Sequence, residues 1–315
     1  MTLSAPTLGV ISVLYGNRTV PTFLSELSLL PDTYVSVVDN SGDCTDSPKT
    51  VLLSRPGSNL GYTRGVNAAL RALSWQTLDA LVIINPDVET DAATITDLAY
   101  RVAHLQPPAL AAPSDNLGTF GSTPAPTVRG VILAYTLRCA SFRASTGDHF
   151  LSGAFLIMNN GALHLLIQGD AILDEELFFM DDVELTARAR RLGILITELK
   201  PAGRIRHACG ASIRKRPAVG IYFSRVSKIR YWARSQPWPA RTLAVFFALE
   251  AGIGLLVSTL LGHFGDGSKA HGFWGVLHWI ITRNNAVDEQ ILGNLLPRDT
   301  GLRRGRHSPR PTPEE

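Results

Sequence analysis

Ala80-Leu81-Val82-Ile83-Ile84-Asn85-Pro86-Asp87 is the stretch whose reading decides the fold. An aliphatic run without polar alternation fits a strand buried on both faces, as in the middle of a parallel sheet, and Asn85-Pro86 ends it abruptly. Asp87 is then left at the carboxyl edge of a central strand, where ligands collect in open α/β sheets. A carboxylate there is placed to hold a divalent cation bridging the phosphates of a nucleotide. The alternative is a turn aspartate that only caps the following segment.

Upstream, Tyr34-Val35-Ser36-Val37-Val38 runs into Asp39-Asn40-Ser41-Gly42-Asp43, a second apolar strand ended by a carboxylate and turn residues. Between the two strand ends lies Asn59-Leu60-Gly61-Tyr62-Thr63-Arg64-Gly65-Val66-Asn67, a glycine-punctuated helix entry. Downstream, Phe178-Phe179-Met180-Asp181-Asp182-Val183-Glu184-Leu185 opens a helix that continues through Ala187 and Arg191 to Gly193. Patterning predicts strands over 8–14, 34–38, 51–53, 80–84 and 152–158, and helices over 21–30, 62–73 and 91–105. Such alternation means crossover units on a parallel sheet. Residues 107–127 and 138–150 read as loops, placed to line or cover an acceptor site.

In order and spacing these motifs resemble the family 2 glycosyltransferases, the inverting GT-A enzymes, and in particular their rhamnosyltransferase-like branch. The resemblance rests on Val37-Val38-Asp39-Asn40-Ser41, the segment from Asn59 to Asn67, Asn85-Pro86-Asp87, and the helix start from Phe178 to Leu185, over roughly residues 8–235. There are departures. Asp181-Asp182-Val183-Glu184 stands where the family has Glu-Asp-x-Asp, and Asp170-Ala171-Ile172-Leu173-Asp174-Glu175 looks like an expanded Gly-Phe-Asp-Glu segment. The resemblance implies an α/β GT-A fold, with a Rossmann-like, mostly parallel sheet flanked by helices and a C-terminal helical appendage. The GT-A domain would cover 1–235, with a nucleotide-binding half about 1–112 and an acceptor half about 113–235.

The implied activity is transfer of a sugar from a nucleotide-sugar to a hydroxyl of a glycan, or of a polyprenyl-diphosphate-linked glycan, in cell-envelope polysaccharide synthesis. L-Rhamnose from dTDP-rhamnose is the leading donor, with UDP-linked sugars behind it. A catalytically silent nucleotide-binding or scaffold protein on the same fold is the alternative, because fold alone does not establish activity.

That reaction needs the departing diphosphate neutralised and a proton taken from the incoming hydroxyl. Asp87 is the expected ligand of Mg²⁺ or Mn²⁺. One carboxylate with phosphate oxygens and waters is sufficient for such an ion. His207 matches the family's late histidine and is a metal or diphosphate ligand by resemblance, or else a structural histidine near a strand end. Asp182 aligns with the Asp of the family's Glu-Asp pair and is the expected general base. Asp181 is the runner-up, or orients the acceptor, or caps the helix. By resemblance Asp39 hydrogen-bonds the base and Arg64 approaches the diphosphate, a surface arginine being the competing reading for the latter. Tyr15 and Asn17, just after the first strand, are placed to pack on or bond the nucleotide. Asn40, Asn59, Gly61, Asn67 and Asn85 complete the expected donor site.

Composition is consistent with one large α/β domain plus an appendage: 315 residues, 45% of them hydrophobic. A net charge of +3 is too small to argue for nucleic acid. Its distribution is more telling. From Leu199 to Leu249 there is no Asp or Glu, while Lys and Arg recur from Lys200 to Arg241. Such a block attracts a donor diphosphate, a phosphate-bearing acceptor or an acidic bilayer, or is a solvated face without a partner. Cys44, Cys139 and Cys209 are widely spaced and suggest neither a zinc site nor a disulfide framework, which fits a reducing cytoplasm. The amino terminus lacks signal-peptide character, so no export is expected. Leu14-Tyr15-Gly16-Asn17 lacks the glycine fingerprint of a dinucleotide site, and no Walker A sequence is present.

Residues 236–302 read as an apolar helical module that associates with membrane or forms an oligomer. Within it, 242–262 is long enough to span a bilayer. Glu250, however, sits on its large apolar side, so it is expected to pack on protein or lie at an interface with Glu250 neutralised. A second apolar helix is expected over 272–281, and 303–315 as a disordered tail. The expected location is the cytoplasm, peripheral on the inner face of the cell membrane.

Overall fold

Every residue of β1 (Leu8–Leu14) is buried, because helices cover both faces of the sheet it sits in. Leu8, Val10 and Leu14 point into one apolar cluster, and Ile11 and Val13 into another. The computed structural model describes residues 5–114, 121–137, 148–207, 216–262, 265 and 268–293. The remaining strands are β2 (Thr33–Asp39), β3 (Val51–Ser54), β4 (Ala80–Ile84), β5 (Val88–Glu89), β6 (Ala109–Pro113), β7 (Ser122–Pro124), β8 (His149–Leu151), β9 (Phe155–Asn159), β10 (Leu195–Leu199) and β11 (Arg206–His207). A seven-stranded sheet runs in the order β10-β6-β9-β4-β1-β2-β3. All its neighbours pair in parallel except β9, which is antiparallel to β4 and to β6.

Helices α1 (Thr22–Leu27) and α3 (Ala92–Ala103) pack on one face of the sheet. On the other lie α2 (Gly61–Arg71), α5 (Asn160–Leu166) and α6 (Asp181–Arg191). This is the mostly parallel, doubly covered α/β sheet expected from the sequence. The strand order steps outward in both directions from β1 and β4, so β1, β2 and β4 present their carboxyl ends side by side. At that edge α2 must lie close to the sheet. A Cβ on Gly65 would stand 2.9 Å from a Val13 methyl, so only glycine fits without a shift.

The segment 107–127, read as a loop, contains β6 and the short β7. β6 is fully buried between β9 and β10. Its Ala109-Leu110-Ala111-Ala112-Pro113 has no β-branched or aromatic residue, so pairing and burial, not propensity, make it a strand. The strand expected over 152–158 is β9, shifted toward the C-terminus, with β8 ahead of it. Residues 115–120 and 138–147 of the two expected loops, Cys139, Cys209 and the tail 303–315 lie outside the described residues.

A third apolar cluster joins α4 (Val128–Leu137), α7 (Pro217–Ala233), α8 (Pro237–Leu260), α9 (Lys269–Thr282) and α10 (Ala286–Leu292) to Leu177, Met180 and Val183 around the start of α6. The C-terminal helices therefore brace the acidic end of α6. Glu250 on α8 is neutralised within the protein by a two-pronged pair with Arg225 of α7. The guanidinium of Arg225 also lies over the rings of Tyr135, Phe247 and Phe273.

Candidate active site

A cleft of about 350 Å³ opens at the carboxyl edge of β1, β2 and β4, between that edge and the start of α6. The chain turn after β4 places Asn85, Pro86 and Asp87 on one wall. β5 then pairs antiparallel with β11 in a register that sets Val88 against His207. As a result His207 Nε2 lies 3.1 Å from Asp87 Oδ1, with both side chains mostly buried. Residues 120 apart in sequence thus form one donor set, a hard carboxylate beside an imidazole. Among the described residues no third His, Cys, Asp or Glu completes a cluster around them. Two protein donors fit a Mg²⁺ or Mn²⁺ ion whose other positions are filled by diphosphate oxygens and water, as such ions bind. Asn85 Oδ1, on the same wall, is buried without a hydrogen-bond partner, as expected of a group waiting for a donor.

Opposite stand the paired acids of α6. Their position at a helix start suits negative charge, and Arg188, Arg190 and Arg191 occupy the other end. Asp182 is partly exposed to the cleft; its Oδ2 accepts from the Gly153 N–H at 3.1 Å and its Oδ1 from the Val183 N–H at 2.8 Å. Asp181 is 7% exposed and accepts from the Phe179 N–H at 3.1 Å. Burial raises both carboxyls above the usual carboxylate range. Asp181 rises to about 8, pushed further by the charge of Asp182. Asp182 rises only to about 6, because the amides of Gly153 and Val183 and the charge of Lys228 favour its ionised form. Burial thus favours the protonated form of both carboxyls, and the hydrogen bonds to Asp182 favour its ionised form.

The turn into α6 is strained. Phe179 has φ of +83°, a left-handed conformation that a bulky residue rarely adopts, and it lines the cleft. Phe178 lines it too, 6.5 Å from the stacked ring of Tyr62, whose hydroxyl donates to the Gly153 carbonyl at 3.1 Å. Burial raises the Tyr62 hydroxyl well above its ordinary value, so it serves as a fixed donor.

Most of the expected site residues meet in this cleft: Tyr15, Asn40, Asn59, Gly61, Asn85, Asp87, Asp181, Asp182 and His207 all line it. Asn40 also orders the α2 entry, donating to the Gly61 carbonyl at 2.8 Å and accepting from the Leu60 N–H at 3.2 Å. Gly61 has φ of +75°, and the Asn59 side chain accepts its N–H at 3.0 Å.

Four expected residues do not line it. Asp39 is 1% exposed, and its carboxylate accepts from the backbone N–H groups of Ser41, Gly42 and Cys44 and from the Ser41 hydroxyl. It organises its own turn instead of presenting oxygens to a base. Asn67 is fully buried; it accepts from the Ile172 and Leu173 N–H groups and donates to the Leu173 carbonyl and to Glu175. Arg64 is ion-paired with Glu289 of α10 and lies near Glu175, so its charge is spent on holding α10 against α2. Asn17 accepts from the Tyr15 N–H at 3.3 Å within the turn after β1.

The cleft contains a cation that sequence reasoning did not single out. Arg216, just before α7, donates to the Leu292 carbonyl at 3.0 Å, and its guanidinium lies 5.0 Å from the centroid of the Tyr15 ring. With Val219 and Leu292 it forms a wall supplied by the C-terminal helices. Its only sequence signal was membership of a long basic block.

No protein-family model matches the chain, and no curated protein sequence matches it. Among solved structures, it is similar to the mannosyltransferase PcManGT from Pyrobaculum calidifontis in complex with GDP-Man and Mn²⁺, at 14% identity and a TM-score of 0.41, covering 89% of this chain and 88% of that one. S. aureus TarS 1–349 in complex with UDP-GlcNAc gives 15% identity and a TM-score of 0.41 over 88% of this chain and 92% of that one. A further S. aureus TarS structure gives 15% and 0.40, with 91% of this chain covering only 55% of that one. At such identities the likeness does not extend to individual residues.

Proposed function

We propose that the chain is an inverting glycosyltransferase of the GT-A kind, moving a sugar from a nucleoside-diphosphate donor to a hydroxyl acceptor. The observation that carries this reading is one cleft with Asp87 and His207 on one wall and the Asp181/Asp182 pair on the other. Sugar transfer asks for those two functions together. The resemblance of the sequence motifs to rhamnosyltransferase-like enzymes supports the same reading and favours dTDP-rhamnose over UDP-sugars. It also favours a glycan, or a glycan on a polyprenyl diphosphate, as acceptor.

In this mechanism Tyr15, Asn59 and Asn85 hold the nucleotide portion of the donor, and Arg216 faces its diphosphate. Asp87 and His207 would hold a Mg²⁺ or Mn²⁺ ion, which when bound supplies charge neutralisation to the departing diphosphate. The acceptor oxygen attacks the anomeric carbon from the side opposite the diphosphate, and the carbon–oxygen bond to phosphate breaks as the new one forms. Asp182 accepts the hydroxyl proton. Asp181 beside it, held by the Phe179 N–H and raised by burial, orients the start of the helix next to the base. Phe178, Phe179 and Tyr62 give the same space an aromatic wall.

The test is release of nucleoside diphosphate from a panel of nucleotide-sugars, with Mg²⁺ or Mn²⁺ and with chelator. Metal-dependent turnover of one donor, lost on chelation and in Asp87→Ala, is expected. A protein that binds donor but never turns it over with any acceptor would instead be a silent member of the fold.

A further inference from the structure

We propose that the exposed ridge of α8 docks on an anionic lipid bilayer, with the helix lying in the plane of the membrane surface. The inference is independent of the catalytic reading. Ala240, Leu243, Ala244, Phe247, Ala251 and Ser258 form the inner face of α8, buried against α7 and α9 along its length. The opposite face is apolar and bare. Trp238, Val245, Leu249, Ile253, Leu256 and Leu260 follow helical spacing along one stripe and are 60–77% exposed.

Three features favour lipid over another occupant. The ridge is dry in character: Thr242 and Thr259 on this side turn their hydroxyls back to the Trp238 and Leu255 carbonyls, so no side-chain polar atom along it calls for a protein partner. Its amino-terminal end is basic. There exposed Arg241 lies 5.3 Å from the centroid of the exposed Trp238 ring. Meanwhile Glu250, the only acid in the described helices α7 to α9, is turned aside and neutralised by Arg225. An uncharged apolar strip with an arginine and an interfacial tryptophan at its margin complements acidic headgroups above an acyl layer. A spanning helix is disfavoured although the 24 residues suffice in length, because the inner face of α8 is committed to protein.

Flotation of the full chain with vesicles tests this, using phosphatidylcholine alone and a phosphatidylcholine–phosphatidylglycerol mixture. The protein is expected to float with the mixed vesicles, to float less with the neutral ones, and to be partly released by high salt. The triple variant Leu249→Gln, Ile253→Gln, Leu256→Gln changes only exposed side chains and should keep the parent's melting curve. Its partitioning should fall at least about tenfold, since each loses apolar area otherwise buried in the acyl layer. Absence of flotation overturns the proposal, whether the chain is then monomeric or is a dimer that the triple variant dissociates. Equal flotation of parent and triple variant overturns it as well.

Discussion

Asp182 and Asp181 are adjacent in sequence, and burial raises both carboxyls; Asp181 is raised further by the charge of Asp182, while the amides of Gly153 and Val183 and the charge of Lys228 hold Asp182 lower. Transfer should therefore rise with pH through about 6 as Asp182 ionises, and the acid limb of a kcat profile measures it. The same shifts act on stability. Each acid keeps a proton in the fold that the unfolded chain releases near 3.8, so stability falls as pH rises from about 4 toward about 8. Asp181→Asn should flatten that decline and raise the Tm at pH 8; an unchanged slope across that range would contradict its raised value. Asp39→Ala is expected to act on the fold. Removing an acceptor that satisfies four donors should cost about 3 kcal/mol in urea unfolding. Full stability with reduced donor affinity would return Asp39 to the binding site. Arg216→Ala should weaken donor binding about tenfold, the loss of one charge-assisted contact, with kcat little changed.

At the scale of elements, β1 and β4 were legible because strands covered on both faces are predominantly apolar, and Asn85-Pro86-Asp87 ends the second abruptly. The starts of α2 and α6 were legible from glycine and acidic spacing. β6 was not, since an alanine-rich segment between prolines carries no local strand signal and is fixed by β9 and β10 on either side. Asp39 shows a different limit. A strand-end Asp followed by Asn-Ser-Gly is what a base-binding site and a self-bonded turn both require, and only the hydrogen bonds separate them. Arg64 was expected at the diphosphate and Arg216 was not singled out for the same reason: whether an arginine meets Glu289 or an open cleft depends on α10, far along the chain. The close seating of α2 gives an element-level prediction. Gly65→Ala should cost about 1–3 kcal/mol by driving α2 from Val13, read from denaturant midpoints.

For the whole molecule, the sheet edge supplies Asp87, the β5–β11 pairing brings His207 to it, and α6 braced by the C-terminal helices supplies the acids. Under the proposed mechanism the metal and proton functions come from separate parts of the fold and should fail separately. Calorimetric titration of donor into Asp87→Ala and Asp182→Asn, with transfer assayed on the same samples, tests this division most directly. Asp87→Ala should lose metal-dependent donor binding. Asp182→Asn should bind donor and metal as the parent does, yet transfer sugar slower by about two to four powers of ten. Transfer by Asp182→Asn at the parent rate would contradict the account, moving the base to Asp181 if Asp181→Asn is inert and removing the mechanism altogether if both variants stay active.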